Sequence, residues 1–489
     1  MNTTPDILSP LDEQQRKRRE LRSVITMSVP IVITTCSRML MDLADFKMVS
    51  YLGDEAQGAM MPAQITMWTF IVLGFGTVCM VNTFVSQSLG RGRQADTTAY
   101  TWQGVYMALA YGTVALAVYP VLPAVFAKIG HSSGIQELEL AYARVGLLTI
   151  GPTIAAEALA SFFNGVHRPR VTMWSAIEAN VINVAVSVCL IFGLLGLPAL
   201  GIAGAAWGTL VGVVYRFGRL LSVFLSREYG NQFGARQTWR LDATKIRAIV
   251  RVGLPQGLQW TSDVLVWAIF VNILVGRMFG DVHLIASNVA WQYLRIAFMP
   301  SLGVGIALSA LVGKAVGQQD HGLAIRMTRI SVSILVVYLA VLSLVYLVFR
   351  ESLIGWFNDA PEVVRIASAI MICAVVFQIF DGLGIAYNAA LRGAGDTFWP
   401  AALFVISHWV IVVGGGWFVA TRWPHWGSVG PWAAATFLIV FLGVALWWRW
   451  HSRAWQRMDI FKHEKDAPAG AGDSTEDTGP VGQVEGLTT

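Results

Sequence analysis

Charge is scarce in this chain of 489 residues: Lys, Arg, Asp and Glu make up 13%, against 55% hydrophobic residues. A soluble protein of that length cannot cover its surface with so little charge, so soluble classes are excluded first. Cysteine is scarcer still. Cys36, Cys79, Cys189 and Cys373 stand singly inside apolar runs, which excludes a disulfide framework and a thiolate zinc site. No short hydrophobic segment with a small-residue cleavage site precedes the first apolar run, so no secretory signal is expected. Long polar connections are missing too, the longest being about 20 residues. That leaves no soluble loop to bind the donor of a membrane-embedded transferase, one alternative reading of a chain this apolar.

What the chain does have is long apolar stretches, and its mean hydropathy is +0.57. Marking those of roughly 20 residues gives about twelve spans. They lie near 24–51, 57–88, 100–127, 140–165, 171–196, 202–226, 246–279, 283–316, 325–349, 363–391, 398–420 and 430–450. The expectation is an all-α polytopic membrane protein with a cytoplasmic N-terminal tail (1–23) and a six-span N-lobe (24–226). A linker with an amphipathic segment (227–245) leads to a six-span C-lobe (246–450) and a cytoplasmic tail (451–489), disordered after about 461.

Basic residues orient the spans. With the N-terminus in the cytoplasm, 26 of the 35 Lys and Arg fall on that side. Only Lys128, Arg144, Arg277, Arg350, Arg365 and Arg422 fall outside, while Arg38, Lys47 and Arg295 lie within spans. This is the positive-inside pattern. The sequence pI near 9.0 therefore reflects topology in a bacterial-type inner membrane, and a nucleic-acid partner is not expected. Trp423, Trp426, Trp447, Trp448 and Trp450 cluster near span ends, as interfacial belts do.

The chain also repeats itself. An offset of 227 aligns Gly53-Asp54 with Gly280-Asp281, Gly76 with Gly303, Val85 with Val312 and Gly90 with Gly317. An offset of 228 aligns Gly165 with Gly393 and Asn180 with His408. Each half holds an even number of spans, so both enter from the same side. The halves should be related by a pseudo-two-fold axis along the membrane normal, with a site between them. Two lobes about a central site is an alternating-access design.

A charge at the bilayer centre costs about 2.5–3.5 kcal/mol on insertion scales, yet Asp42, Asp45, Glu157, Glu178, Asp263 and Asp381 all fall within spans. Counted from Arg251 and Arg392, Asp263 and Asp381 sit roughly 16–18 Å deep, at one level of one lobe. Two carboxylates so placed share a proton or a cation, or take a basic partner such as Arg295. They are the candidate coupling site, and would be metal ligands only if the coupling ion is sodium. Arg38 and Asp42, at i and i+4, are expected to neutralise each other, leaving Asp45 as the free acid of an N-lobe polar site with Asn180 and Asn183. Glu157, Asn288, Gln292 and Arg295 are substrate-pathway candidates, the last three on one face of the eighth span. Glu178 is expected to pair near the cytoplasmic rim, and His408 to be a packed, hydrogen-bonded residue.

With Leu391-Arg392-Gly393-Ala394-Gly395-Asp396-Thr397 after the tenth span, the chain resembles the multidrug and toxic compound extrusion family. The proline-led first and seventh spans resemble it as well. So do the second and eighth spans, ending in Ser86-Gln87-Ser88-Leu89-Gly90 and Gly313-Lys314-Ala315-Val316-Gly317. The resemblance covers about residues 20–455. It implies export of cationic, amphipathic compounds against inward sodium ions or protons, with no other cofactor and a monomeric protein in the lipid bilayer. It makes Asp45, Asp263 and Asp381 the matching acids. It also marks departures: Phe377 stands where many members carry a tyrosine, and Ser187 where they carry an acid or amide one turn after the position of Asn183. An alternative of related architecture is a lipid-linked oligosaccharide flippase, for which a basic cavity would be expected rather than six acids against three bases.

Overall fold

The computed structural model describes residues 10–129 and 131–462; the tail expected beyond them lies outside the described residues. It is nearly all helix. Among the described residues eleven helices are long and apolar enough to cross a membrane, and a pair bent by 59°, counted as one span, makes twelve. In chain order these are α1 (Pro10–Ser50), α2 (Asp54–Gly90), α3 (Gln94–Lys128), α4 (Ser133–Gly165), α5 (Pro169–Phe192) and α6 (Ile202–Phe224, with the bent continuation Arg227–Phe233). The second half follows as α7 (Ala243–Arg277), α8 (Asp281–Gly317), α9 (His321–Gly355), α10 (Pro361–Ala394), α11 (Phe398–Arg422) and α12 (Val429–His451). The architecture is the expected one: twelve spanning helices in two six-helix lobes about a pseudo-two-fold axis.

The helices outrun the apolar stretches. α1 begins at Pro10, so the basic segment before residue 24 continues the first span as helix, with Glu20 joined to Arg326 of α9 at 2.7 Å. The linker, expected to hold an amphipathic segment, is only partly helical. Its helical part is Arg227–Phe233, ended by Gly234 at φ 71°, and Tyr229 and Phe233 tuck under the N-lobe against Phe162. Trp239 and Leu241 lie in the extended stretch that follows and are exposed. α7 then starts where Asp242 caps it, accepting bonds from the Thr244 and Lys245 amides.

The repeat becomes visible in the glycines. Gly53 and Gly280 stand just before α2 and α8 with φ of 105° and 85°, a region open to glycine. Gly76 of α2 meets the backbone of Gly257 in α7, and its counterpart Gly303 of α8 meets Val32 in α1. At the end of the bundle that carries the linker, Gly90 faces Lys314 and Gly317, while Gly317 faces Gln87. A Cβ at any of these positions would strike backbone, so the lobes touch where side chains are absent. The family-like segments thus serve the joint between the lobes. Thr83 and Gln87 donate to the carbonyls of Arg392 and Gly393, while Asp396 is buried and held by Arg449 at 2.8 Å.

Beyond α12 a strap crosses the same end. Trp455 stacks on Trp450 at 4.4 Å, which makes Trp450 a core residue rather than a member of an interfacial belt. Asp459 then bonds to Arg91 at 3.0 Å, and Phe461, 1% exposed, packs edge-on against the stacked rings of Phe84 and Tyr100 in the N-lobe.

Candidate functional site

α2 meets α7 at Leu73–Thr77 and α8 at Ser86–Gly90, both towards the linker end. Asp42, Asp45, Asp263 and Asp381 lie beyond these contacts, in the direction of the opposite end. Asp42, Arg295 and Asp263 have side chains 41%, 38% and 41% exposed. Charged groups at mid-span with that exposure face a polar cleft, because lipid would not tolerate them.

In the C-lobe, Asp263 is held from two sides. Trp267, one turn on along α7, donates its indole N–H to Oδ1 at 3.0 Å, and His408 Nε2 lies 3.0 Å from the same oxygen. His408 is buried, stacked on Phe404 and edge-on to Trp267. Its Nδ1 lies 2.8 Å from the Phe404 carbonyl. It opens a π-helical stretch of α11, His408–Gly415, and α7 carries another at Phe270–Arg277. Such wide turns reposition side chains and recur at functional sites. Asp381 on α10 interacts electrostatically with both Asp263 and His408, so the two acids matched by depth lie within electrostatic reach of each other. Phe377 is buried with its ring 6.1 Å from Trp267. Nitrogen donors and aromatic rings therefore surround the acid pair.

The N-lobe site is built differently. Asp45 is 2% exposed and its Oδ1 has no hydrogen-bond partner. Asn183 donates to Thr209 at 3.2 Å, yet its own Oδ1 is unpartnered, as is the Ser187 hydroxyl. Gly208 and Gly212 on α6 let α5 approach at those two residues. Gln64, Thr209 and Asp45 all lie within electrostatic reach of the Tyr142 hydroxyl. The result is a buried polar cluster with surplus acceptor oxygens.

The other candidates disperse. Asn180 turns to Ser37 on α1 at 3.2 Å. Arg38 remains the foremost charged neighbour of Asp42, as its i, i+4 spacing suggested, but without a direct ion pair. Its guanidinium lies 5.0 Å over Trp68, and Asp42 reaches across the lobes to Arg295 at 3.8 Å. Arg295 accordingly answers Asp42 rather than the C-lobe acids. Asn288 is exposed and Gln292 half-buried, on the α8 face that Arg295 turns to the other lobe. Glu157 has Arg216 as its foremost charged neighbour, then Arg38 and Arg392. Glu178 takes Tyr215 at 2.9 Å and Arg219 at 3.2 Å near the rim, as expected. Sequence reasoning missed the partnership of His408 with Asp263. The available signal was that a histidine occupies the repeat position of Asn180 in a span.

Residues 30–189 and 264–418 match the MatE family. The chain is 28% identical over 440 residues to the probable multidrug resistance protein NorM of Rhizobium meliloti, covering 88% of this chain and 92% of that one. It is 24% identical over 436 residues to the protein of the same description from Bacillus subtilis, covering 86% and 93%. Among solved structures it resembles a MOP superfamily transporter from Pyrococcus furiosus, with a TM-score of 0.81 at 19% identity, over 90% of this chain and 97% of that one. It also resembles a mutant of the Vibrio cholerae MATE transporter VcmN, with a TM-score of 0.82 at 15% identity, over 92% and 100%.

Proposed function

The chain belongs to the MatE family, and from that premise we propose that it is a secondary antiporter exchanging exported organic cations for inward sodium ions or protons. It is a multi-pass membrane protein and a transporter of the multidrug-efflux type. The finer reading is that the linker end faces the cytoplasm, where the basic residues gather, and that the cleft opens outward. Cationic, amphipathic compounds suit a cleft with acidic side chains and with the stacked rings of Phe75 and Trp260 bridging the lobes at 5.9 Å.

The observation that carries the coupling is that Asp263 and Asp381 lie within electrostatic reach of each other in one lobe. A cationic charge on this pair, whether proton or metal, lowers its attraction for an organic cation and favours release outward. Emptying the pair towards the cytoplasm restores that attraction. The surplus oxygens around Asp45 favour a second reading, in which the N-lobe cluster takes the coupling cation. Ethidium efflux from proteoliposomes, with sodium and pH gradients imposed separately, tests the exchange. Wild-type transport should follow one of the two gradients, and replacing Asp263 and Asp381 by asparagine should remove that dependence. Dependence lost only in Asp45→Asn would move the coupling to the N-lobe.

A further inference from the structure

The hydrogen-bond inventory of His408 fixes how many protons sit at the C-lobe site. A backbone carbonyl has no proton to give, so the 2.8 Å contact between His408 Nδ1 and the Phe404 oxygen requires Nδ1–H. In a neutral ring of that tautomer Nε2 is an acceptor, and an ionised carboxylate is an acceptor as well. At 3.0 Å, Nε2 and Asp263 Oδ1 must therefore have a proton between them, as imidazolium with carboxylate or as imidazole with carboxylic acid. In either form the pair carries one proton more than neutral histidine plus aspartate.

We propose that His408 is the partner that loads Asp263 with a transported proton, making the C-lobe coupling site a proton site rather than a sodium site. This deepens the export reading above and rests on it. A sodium ion requires a shell of oxygens. Here Oδ1 of Asp263 already has two nitrogen neighbours, and Phe377 offers no oxygen. The groups that face His408 are few. α7 brings Asp263 and α10 brings Asp381, while α8 and α12 contribute the Trp291 and Trp432 rings that pack behind Trp267.

Exposure sets the route. The His408 side chain is 3% exposed and that of Asp263 41%, so the proton enters and leaves by the carboxylate. On loading, a hydronium ion at the cleft yields its proton to the pair and departs as water. On release the proton passes to water, leaving neutral imidazole and an ionised carboxylate. Two lone pairs then face each other across 3.0 Å, and the contact no longer holds. Losing the proton thus frees Asp263 to meet an organic cation and removes one of the two side-chain links between α7 and the π-helical stretch of α11, leaving the bond from Trp409 to Ser262.

The test uses the purified full-length protein with two readouts. The first is infrared difference spectroscopy after a pH jump without substrate, comparing wild type with His408→Gln, which keeps a donor for Asp263 but cannot hold the proton. Paired imidazole and carboxylate bands should appear in wild type and vanish in the variant; the same bands in both would overturn the proposal. The second is proton release on ethidium binding, followed with a pH-indicator dye. Wild type should release about one proton per ethidium, and the His408→Gln variant at least tenfold less while still binding. Equal release from both, or ethidium displaced by sodium with no proton released, would overturn it. His408→Asn serves where the glutamine variant is not monodisperse. Absence of ethidium binding to wild type would sink the export reading, with the infrared bands still deciding whether the pair holds a proton.

Discussion

The two lobes share a frame and differ in chemistry. In the N-lobe the frame buries Asp45, Asn183 and Ser187, each with an oxygen that has no hydrogen-bond partner. In the C-lobe the acid is met by nitrogen, from His408 and Trp267, and is open to the cleft. Position 180 of the first repeat is an asparagine bonded to Ser37, and its counterpart at 408 is a histidine bonded to Asp263. The joint between the lobes treats the halves alike, since Gly76 and Gly303 each admit the first helix of the other lobe. Duplication thus left the mechanical contacts symmetric and let the polar interiors diverge.

That contrast can be broken in four ways. The largest effect is expected from Asp263→Asn with Asp381→Asn, which should cut gradient-driven ethidium efflux about 100-fold, near the upper range for coupled sites. An undiminished rate would remove the C-lobe from the mechanism. Symmetry of the joint is probed by Gly76→Leu and Gly303→Leu. Each forces a side chain into backbone and should raise the cost of closing the linker end by about 1–3 kcal/mol. Interlobe distances measured by spin-label spectroscopy should shift equally in the two variants, and a shift in only one would show that the halves are mechanically unequal. Asp45→Asn comes third, with an expected fall in efflux rate of about fivefold, smaller than in the C-lobe. A fall matching the first variant would erase the distinction between the lobes. Smallest is Asp42→Ala with Arg295→Ala. This half-exposed interlobe pair should contribute at most about 1 kcal/mol to thermal stability, read by unfolding in detergent.

The architecture was legible because hydropathy, basic-residue placement and glycine offsets are properties of the linear chain. Depth was legible too: the 1.5 Å helical rise placed Asp263 and Asp381 at one level, and they lie within electrostatic reach of each other. Partners across helices were not. Arg38 and Asp42 had the spacing of a pair, but Trp68 drew the guanidinium to its face and Arg295 reached Asp42 from the other lobe. His408 finds Asp263 only through the packing of α11 on α7 and the π-helical stretch that His408 begins. No periodicity in the sequence encodes that turn. Trp450 was misplaced for a similar reason, because its cover is the strap that doubles back after α12.

The strap carries a consequence for biosynthesis. Chains are made from the N-terminus onward and lobes fold as they emerge, so the notch beside the stacked Phe84 and Tyr100 rings stands uncovered while the whole C-lobe is still being inserted. Its cover, Phe461, arrives nearly last. Sealing the N-lobe therefore reports that α7 to α12 are complete, and a chain cut short before residue 459 would leave an apolar notch open beside Arg91, a mark by which quality control could tell an unfinished transporter from a finished one.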